Sequence, residues 1–258
     1  MITSMKLDNI IHTNLGGVKT ACVSRHELVL LISQRVLDFR DSNLAPLVIF
    51  SANGHGIALA NSDEAFMKLL HRADIVHADG QSLVLMSRFF APQSIPERSA
   101  TTDMIHDIPR LSDKQHRHFL LGGKADIVDA SGEILVKTYP NFELVGTRDG
   151  YAGIQNTENL IQEINNAKPD VLWVGLGKPL EQQWVMEHKH KLKVPVIISC
   201  GGCYNYITGD YKRAPLWMQN IGLEWLHRAM SKPKALLWRY IKTNPYCIYC
   251  VIKHRFFT

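Results

Sequence analysis

The sequence of 258 residues lacks any apolar run near the roughly 18–20 residues that span a bilayer. Its longest late apolar stretch, Pro245 to Ile252, is only eight residues. The first residues, MITSMKLDNIIHTN, lack the apolar core of a secretory signal, which predicts a protein made and kept in the cytoplasm. No G-x-G-x-x-G or G-x-x-x-x-G-K-[ST] appears, so neither common phosphate-binding fingerprint is available. There is no D-x-D pair to hold a divalent metal against a diphosphate. Acidic residues are nearly missing from the last part of the chain: from Tyr211 to Thr258 nine Lys or Arg face one acid, Glu224. Cysteine is sparse. The five include two C-x-x-C pairs, Cys200/Cys203 and Cys247/Cys250, but the gap of 43 residues is far from zinc-site spacing, so buried or incidental thiols are expected.

What is present is a chain rich enough in apolar residues, at 46% against 21% charged, to bury a sizeable core. Its net charge of +5 belongs entirely to the tail, because the first 210 residues hold 20 basic and 23 acidic residues. The same tail carries Trp217, Trp225, Trp238, Phe256 and Phe257. A basic, aromatic-rich segment suits an anionic membrane surface or phosphate groups. Nucleic acid is not expected, since the tail's aliphatic residues fit lipid better.

Strand-like and helix-like segments alternate. Leu47 to Phe50 reads as a buried strand ending in Ser51-Ala52-Asn53-Gly54. Ser62 reads as the cap of a helix carrying Phe66, Met67, Leu69, Leu70 and Ala73. Asp74 to His77 is a strand running into Asp79-Gly80, and Leu83 to Phe90 a helix. Phe119 to Leu121 leads to Gly122-Gly123 and a helix from about Ala125 to Lys137. Phe142 to Val145 leads to Thr147-Arg148-Asp149-Gly150. Val171 to Val174 leads to Gly175-Leu176-Gly177-Lys178-Pro179 and a helix, and Val194 to Ser199 to Gly201-Gly202. This rhythm predicts an α/β fold with a doubly wound, mainly parallel, Rossmann-like sheet. Two further helices, Pro215 to Met230 and Pro233 to Lys242, predict a C-terminal helical appendage, so residues 1–210 form the α/β domain and 211–258 the appendage. On the second, Leu236, Leu237, Tyr240 and Ile241 share one side, and Lys234, Arg239 and Lys242 the other.

The polar and glycine-rich clusters all follow strands. In open parallel sheets ligands bind beyond the carboxyl ends of the strands. Glycines there let backbone N–H groups approach phosphates, which points to a nucleotide-type ligand at Gly122, Gly123, Gly177, Pro179, Gly201 and Gly202. Asp79, on a strand-end loop, can take a proton from a sugar hydroxyl that attacks an activated carbon, although Asp-Gly is also an ordinary turn pair. Arg98, Arg213, Arg228 and Arg239 can stabilise phosphate charge on a leaving group, or serve only as solvated or ion-paired surface. The sheet alone admits an NAD-dependent oxidoreductase, against which the missing fingerprint counts.

These residues resemble the WecG/TagA/CpsF glycosyltransferases, glycosyltransferase family 26, from Leu47 to about Tyr240. The matching pieces, in the family's order, begin with Ser51-Ala52-Asn53, Ala78-Asp79-Gly80, and Glu97-Arg98 with Thr102-Asp103. Gly175-Leu176-Gly177-Lys178-Pro179 and the run Thr208 to Pro215 follow, and then Gly222-Leu223-Glu224-Trp225-Leu226-His227-Arg228. The resemblance implies a bacterial, inverting, metal-independent enzyme at the cytoplasmic membrane face. It would move a sugar from a UDP-sugar to a polyprenyl-pyrophosphate-linked sugar. Asp79 would be the general base, with Gly80 beside it, and Ser51 and Asn53 would line the sugar site. Arg98 with the Asp103 block would bind acceptor or phosphate, and Arg213, Arg228 and Arg239 would fold over the pyrophosphate. No metal or other cofactor is expected.

Three positions depart from the family pattern. Ser51 replaces a threonine, Glu181-Gln182 inverts its Gln-Glu pair, and Asn205 stands for an aspartate. Glu181 and Asn205 would face donor or acceptor, so sugar specificity is what the changes touch. The Ala100-Thr101-Thr102-Asp103 version of the acceptor block resembles exopolysaccharide members and favours a neutral hexose such as glucose as donor. N-acetylmannosamine or its uronic acid is the alternative. The oligomeric state is left open, a homo-oligomer included.

Overall fold

A computed structural model describes residues 7–40, 44–231 and 233–257. In chain order the elements begin with a hairpin, β1 (His12–Leu15) and β2 (Val18–Ala21), then α1 (Arg25–Arg40), β3 (Leu47–Ala52), α2 (Gly54–Ser62), α3 (Glu64–His71), β4 (Ile75–Ala78), α4 (Gln81–Phe90) and α5 (Thr101–Leu111). They continue with β5 (His116–Gly122), α6 (Ala125–Thr138), β6 (Phe142–Arg148), α7 (Thr157–Ala167), β7 (Val171–Gly175), α8 (Leu180–His188), β8 (Val196–Ser199) and α9 (Cys203–Ile207). Three helices close the chain: α10 (Leu216–Asn220), α11 (Glu224–Ser231) and α12 (Pro233–Phe256).

Six strands form one sheet in the order β4-β3-β8-β7-β5-β6. The pairs β3–β8, β8–β7, β7–β5 and β5–β6 are parallel. The fold is thus the mainly parallel α/β architecture that the alternation predicts. Strands β3, β7 and β8 are buried along their full length, which is why they read as unbroken apolar runs.

The chain divides into two compact units that interleave in sequence: residues 1–7, 26–50 and 101–211, and residues 8–25, 51–100 and 212–258. The first holds β5 to β8 and their helices. Its centre is Trp173, whose indole donates to His118 Nδ1 at 3.1 Å while the His118 ring stacks on Phe142. Burial drives His118 well below the ordinary imidazole range, so it is a neutral core residue.

The second unit holds the hairpin, α2 to α4 and all three C-terminal helices. The tail therefore shares a core with residues 8–25 and 51–100. α12 packs along α2, burying Tyr240, Cys247, Cys250 and Val251. The expected helix Pro215–Met230 is two helices, because Gly222 takes a left-handed φ of +78° between them. The second expected helix runs on past Lys242 to Phe256, with Pro245 inside it. Its inward face follows Tyr240, so Leu237 and Ile241, expected beside Tyr240, are exposed. The side chain of Lys234 lies outside the described residues.

The hairpin and the helices α1, α2, α5, α7 and α9 are absent from the sequence reading. Gly54-His55-Gly56 looks like loop, yet α2 begins there, capped by Asn53, and the next helix is capped by Asp63 rather than Ser62. All four cysteines of the C-x-x-C pairs are free and buried. Burial, helped by Cys250, pushes the Cys247 thiol up to about 12, so it stays protonated and inert.

Candidate active site

In the second unit the end of β3 and the end of β4 meet. The Asp79 amide donates to the Ala52 carbonyl at 2.8 Å, fixing the residue after β4 against β3. Ser99 holds the same strand end from another side: its amide and its hydroxyl both donate to the Ala78 carbonyl. On this anchored backbone Asn53 Nδ2 donates to Asp79 Oδ2 at 3.1 Å, while Asn53 Oδ1 accepts from the Gly56 amide at 2.9 Å. The Asn53 side chain is therefore both the cap of α2 and the holder of the Asp79 carboxylate. Ser51 is buried at the end of β3.

Gly80 bears on what Asp79 is for. Its φ is −101°, so the backbone makes no demand for glycine there and Asp79-Gly80 is no left-handed turn. A Cβ on Gly80 would lie 3.5 Å from Asn53 Cβ, on the side of the Asn53–Asp79 pair. The glycine leaves room next to a half-buried carboxylate whose orientation is fixed by an amide, as a proton acceptor requires.

A second polar cluster of the same unit joins distant parts of the chain. Arg98 Nη1 donates to Glu224 Oε2 at 2.8 Å, and Arg98 Nη2 donates to Gln219 Oε1 at 2.9 Å. Arg213 Nη2 reaches the same Gln219 oxygen at 2.8 Å, and its Nε lies 3.3 Å from Glu224 Oε1. Gln219 is itself held by donating to the Ala214 carbonyl at 2.7 Å. Two guanidinium groups thus converge on Gln219 and Glu224, and paired arginines are a setting suited to a phosphate group. Arg228 lies one turn after Glu224 on α11, half-buried. Arg239 turns to its neighbour instead, donating to the Tyr240 hydroxyl at 3.3 Å with its guanidinium over that ring. Gln219 and Glu224 were not among the residues singled out from sequence as binding groups, and the signal for them was faint: one polar residue between Met218 and Asn220, and one acid in a basic tail.

The glycine loops lie in the first unit, each after its strand. A Cβ on Gly122 would fall 2.2 Å from the Gly175 carbonyl, so β5 and β7 end too close for any other residue. The loop amides are not offered to a phosphate as the sequence suggested. Gly123 donates to the Gly175 carbonyl, and both Gly177 and Gly201 donate to Glu181 Oε2 at 3.0 Å. Glu181 itself is buried under these loops, one residue after Pro179 and Leu180, and does not face open space. Asn205 is bound up locally, accepting from the Tyr211 amide and donating to Asp210 at 3.5 Å. Gly202 packs near Tyr211, and Asp103 stands in the first turn of α5. A cavity of about 300 Å³, lined by His12, Asn14, Lys19, His71 and Asp74, opens before β4 and does not include Asp79. Among the described residues no group of His, Cys, Asp and Glu is arranged to hold a metal ion.

The model of the Glycosyl transferase WecG/TagA/CpsF family matches residues 13–258. The chain belongs to this family. Among its relatives is the N-acetylglucosaminyldiphosphoundecaprenol N-acetyl-beta-D-mannosaminyltransferase of Staphylococcus aureus (strain MW2), 27% identical over 216 residues, 83% of each chain. The protein of the same name from Bacillus subtilis (strain 168) is 29% identical over 194 residues, 75% of this chain and 73% of the relative. The family member described here therefore has the Asp79–Asn53 corner and the Arg98–Arg213 cluster within one compact unit, and its glycine loops in the other.

Proposed function

We propose that the protein transfers N-acetylmannosamine from its UDP derivative to N-acetylglucosamine carried on a polyprenyl diphosphate. The Asn53 amide donating to Asp79 at the strand ends is the observation that carries a transfer reaction with a protein base. The relatives of this family named above carry the sugar assignment. The preference for a neutral hexose rested on residues 100–103 alone, and the activities of those relatives outweigh it.

In this reading Asp79 removes the proton of the acceptor hydroxyl as that oxygen attacks the anomeric carbon and UDP leaves, in one inverting displacement. Asn53 keeps the carboxylate aimed by donating to its Oδ2. The two guanidinium groups of the Arg98–Arg213 cluster answer the charge growing on a departing diphosphate, without a metal.

The acceptor's lipid sets the location of the chemistry. Among the described residues no helix is long and apolar enough to cross a membrane. α12 instead exposes Trp238, Ile241, Ile248, Tyr249 and Phe256, with Lys242 and Lys253 on the same outer side of the helix. This outer stripe docks on an anionic bilayer surface, apolar side chains entering the interface and lysines meeting headgroups. UDP release with UDP-N-acetylmannosamine and a lipid-diphosphate N-acetylglucosamine acceptor tests the reaction. Faster release from UDP-glucose with that acceptor would reverse the sugar assignment.

A further inference from the structure

Glu181 is a carboxylate at 1% exposure, wholly engaged with the chain's own donors. Its Oε2 accepts from the Gly177 amide and from the Gly201 amide, each at 3.0 Å, and its Oε1 accepts from Gln182 Nε2 at 3.1 Å. One side chain in the first turn of α8 thereby joins the loop after β7 to the loop after β8. Both glycines have positive φ, +82° and +51°, and a Cβ on either would meet nothing within 4 Å, so open space lies beyond them. We propose that Glu181 is a positioning residue whose buried carboxylate sets the spacing of these two loops and so shapes the rim that receives the donor.

The chemistry explains why a carboxylate stands there. Three N–H donors converge on its two oxygens, and a carboxylate offers only acceptors. A glutamine at 181 could serve the two glycine amides with its oxygen, and its NH2 could meet Gln182 Oε1, which has no partner among the described residues, once that amide turns over. A glutamate at 182 beside Glu181 would set two buried carboxylates together. Exchanging both residues restores one donor facing one acceptor. The pair is thus reciprocal: a carboxylate is tolerated at one of the two positions, and a second one leaves a buried acceptor facing its like.

The inference rests on the proposed donor reading for its substrate, and the experiment separates the two. Wild type, E181Q, Q182E and E181Q/Q182E are compared for donor KM, acceptor KM and kcat, with Tm measured for each. Turnover of UDP-N-acetylmannosamine by wild type tests the donor reading; the pattern across variants tests the clamp. Q182E is expected to raise donor KM about tenfold, the order of one unsatisfied buried group, with acceptor KM unchanged, while E181Q stays within about threefold of wild type. The double variant returns donor KM to within about twofold of wild type. If wild type does not turn over this donor, the affinity for UDP by calorimetry replaces KM, with the same pattern expected. A Q182E variant that loses Tm but keeps wild-type donor KM, a double variant no better than Q182E, or a wild type that does not bind UDP would each overturn the proposal.

Discussion

At the scale of single residues, Asp79 and Asn53 make separable predictions. Asp79→Asn keeps a hydrogen-bonding side chain of the same shape, so Tm should hold while kcat falls by about 10²–10⁴, the usual worth of a positioned base. Asn53 has two duties, and two substitutions divide them. Asn53→Ala removes the cap of α2 as well as the donor to Asp79, and should lower stability by about 1 kcal/mol along with activity. Asn53→Ser can still cap, so in melts it should resemble wild type while kcat drops. The two sequence readings of Asp79, turn residue or base, could not be told apart locally, because Asp-Gly suits both. The negative φ of Gly80 speaks against a left-handed turn, and the amide of Asn53 orients the carboxylate; neither can be read from residue types. Glu181 shows the opposite failure: its swapped order with Gln182 was visible, but burial and the two glycine amides were not. Burial raises its carboxyl above the ordinary 4.5, against the pull of Lys178, Gln182, Gly201 and Gly177. A folded-state value above the unfolded one means that the stability tied to this proton is complete below pH 4.5 and is lost as pH rises through the raised value. Lys178, Cys200 and Tyr204 are the titratable groups it feels, and burial pushes the Cys200 and Tyr204 values well up, leaving Lys178 as the charged one. Calorimetric melts of wild type and E181Q should therefore diverge against wild type as pH rises above 4.5 and through the raised value.

At the scale of elements, most strands and the helices that follow them were legible because burial on both faces leaves an unbroken apolar run. α2 was not. Glycine is a poor helix former, and two of the first three residues of α2 are glycine. The helix exists because Asn53 caps it and because α12, nearly two hundred residues later, covers it. Asn61 at its far end accepts from His254 Nε2 at 3.1 Å and donates to the Gly16 carbonyl at 2.7 Å, binding helix, tail and hairpin together. A truncation near Gly209 would therefore strip the cover from α2 and expose the faces packed against Tyr240 and Val251. Membrane binding is better tested on the outer face of α12. Trp238→Glu with Ile248→Glu should abolish co-sedimentation with anionic vesicles, move Tm little, and leave the binding of soluble UDP intact, because both side chains point outward. Unchanged sedimentation would place the membrane contact elsewhere.

At the scale of the whole molecule, charge and connectivity tell a consistent story. The positive excess lies in a tail that belongs to the same compact unit as Asp79 and Arg98. The tail was legible as basic and aromatic, but its integration was not, since a helical segment after an α/β domain reads as an appendage. Long-range partners such as Arg98 with Glu224 are invisible in a single sequence. Gln219→Ala should separate the two guanidinium groups from their shared acceptor, lowering kcat about tenfold with a smaller effect on Tm, as a loss confined to charge stabilisation predicts. The central claim is that Asp79 drives transfer of N-acetylmannosamine, and one measurement meets it directly: UDP release from UDP-N-acetylmannosamine with a polyprenyl-diphosphate N-acetylglucosamine acceptor, wild type beside Asp79→Asn. The account predicts acceptor-dependent release by wild type and a loss of at least about a hundredfold in a folded variant. Release by the variant at the wild-type rate, or none by wild type, would contradict it.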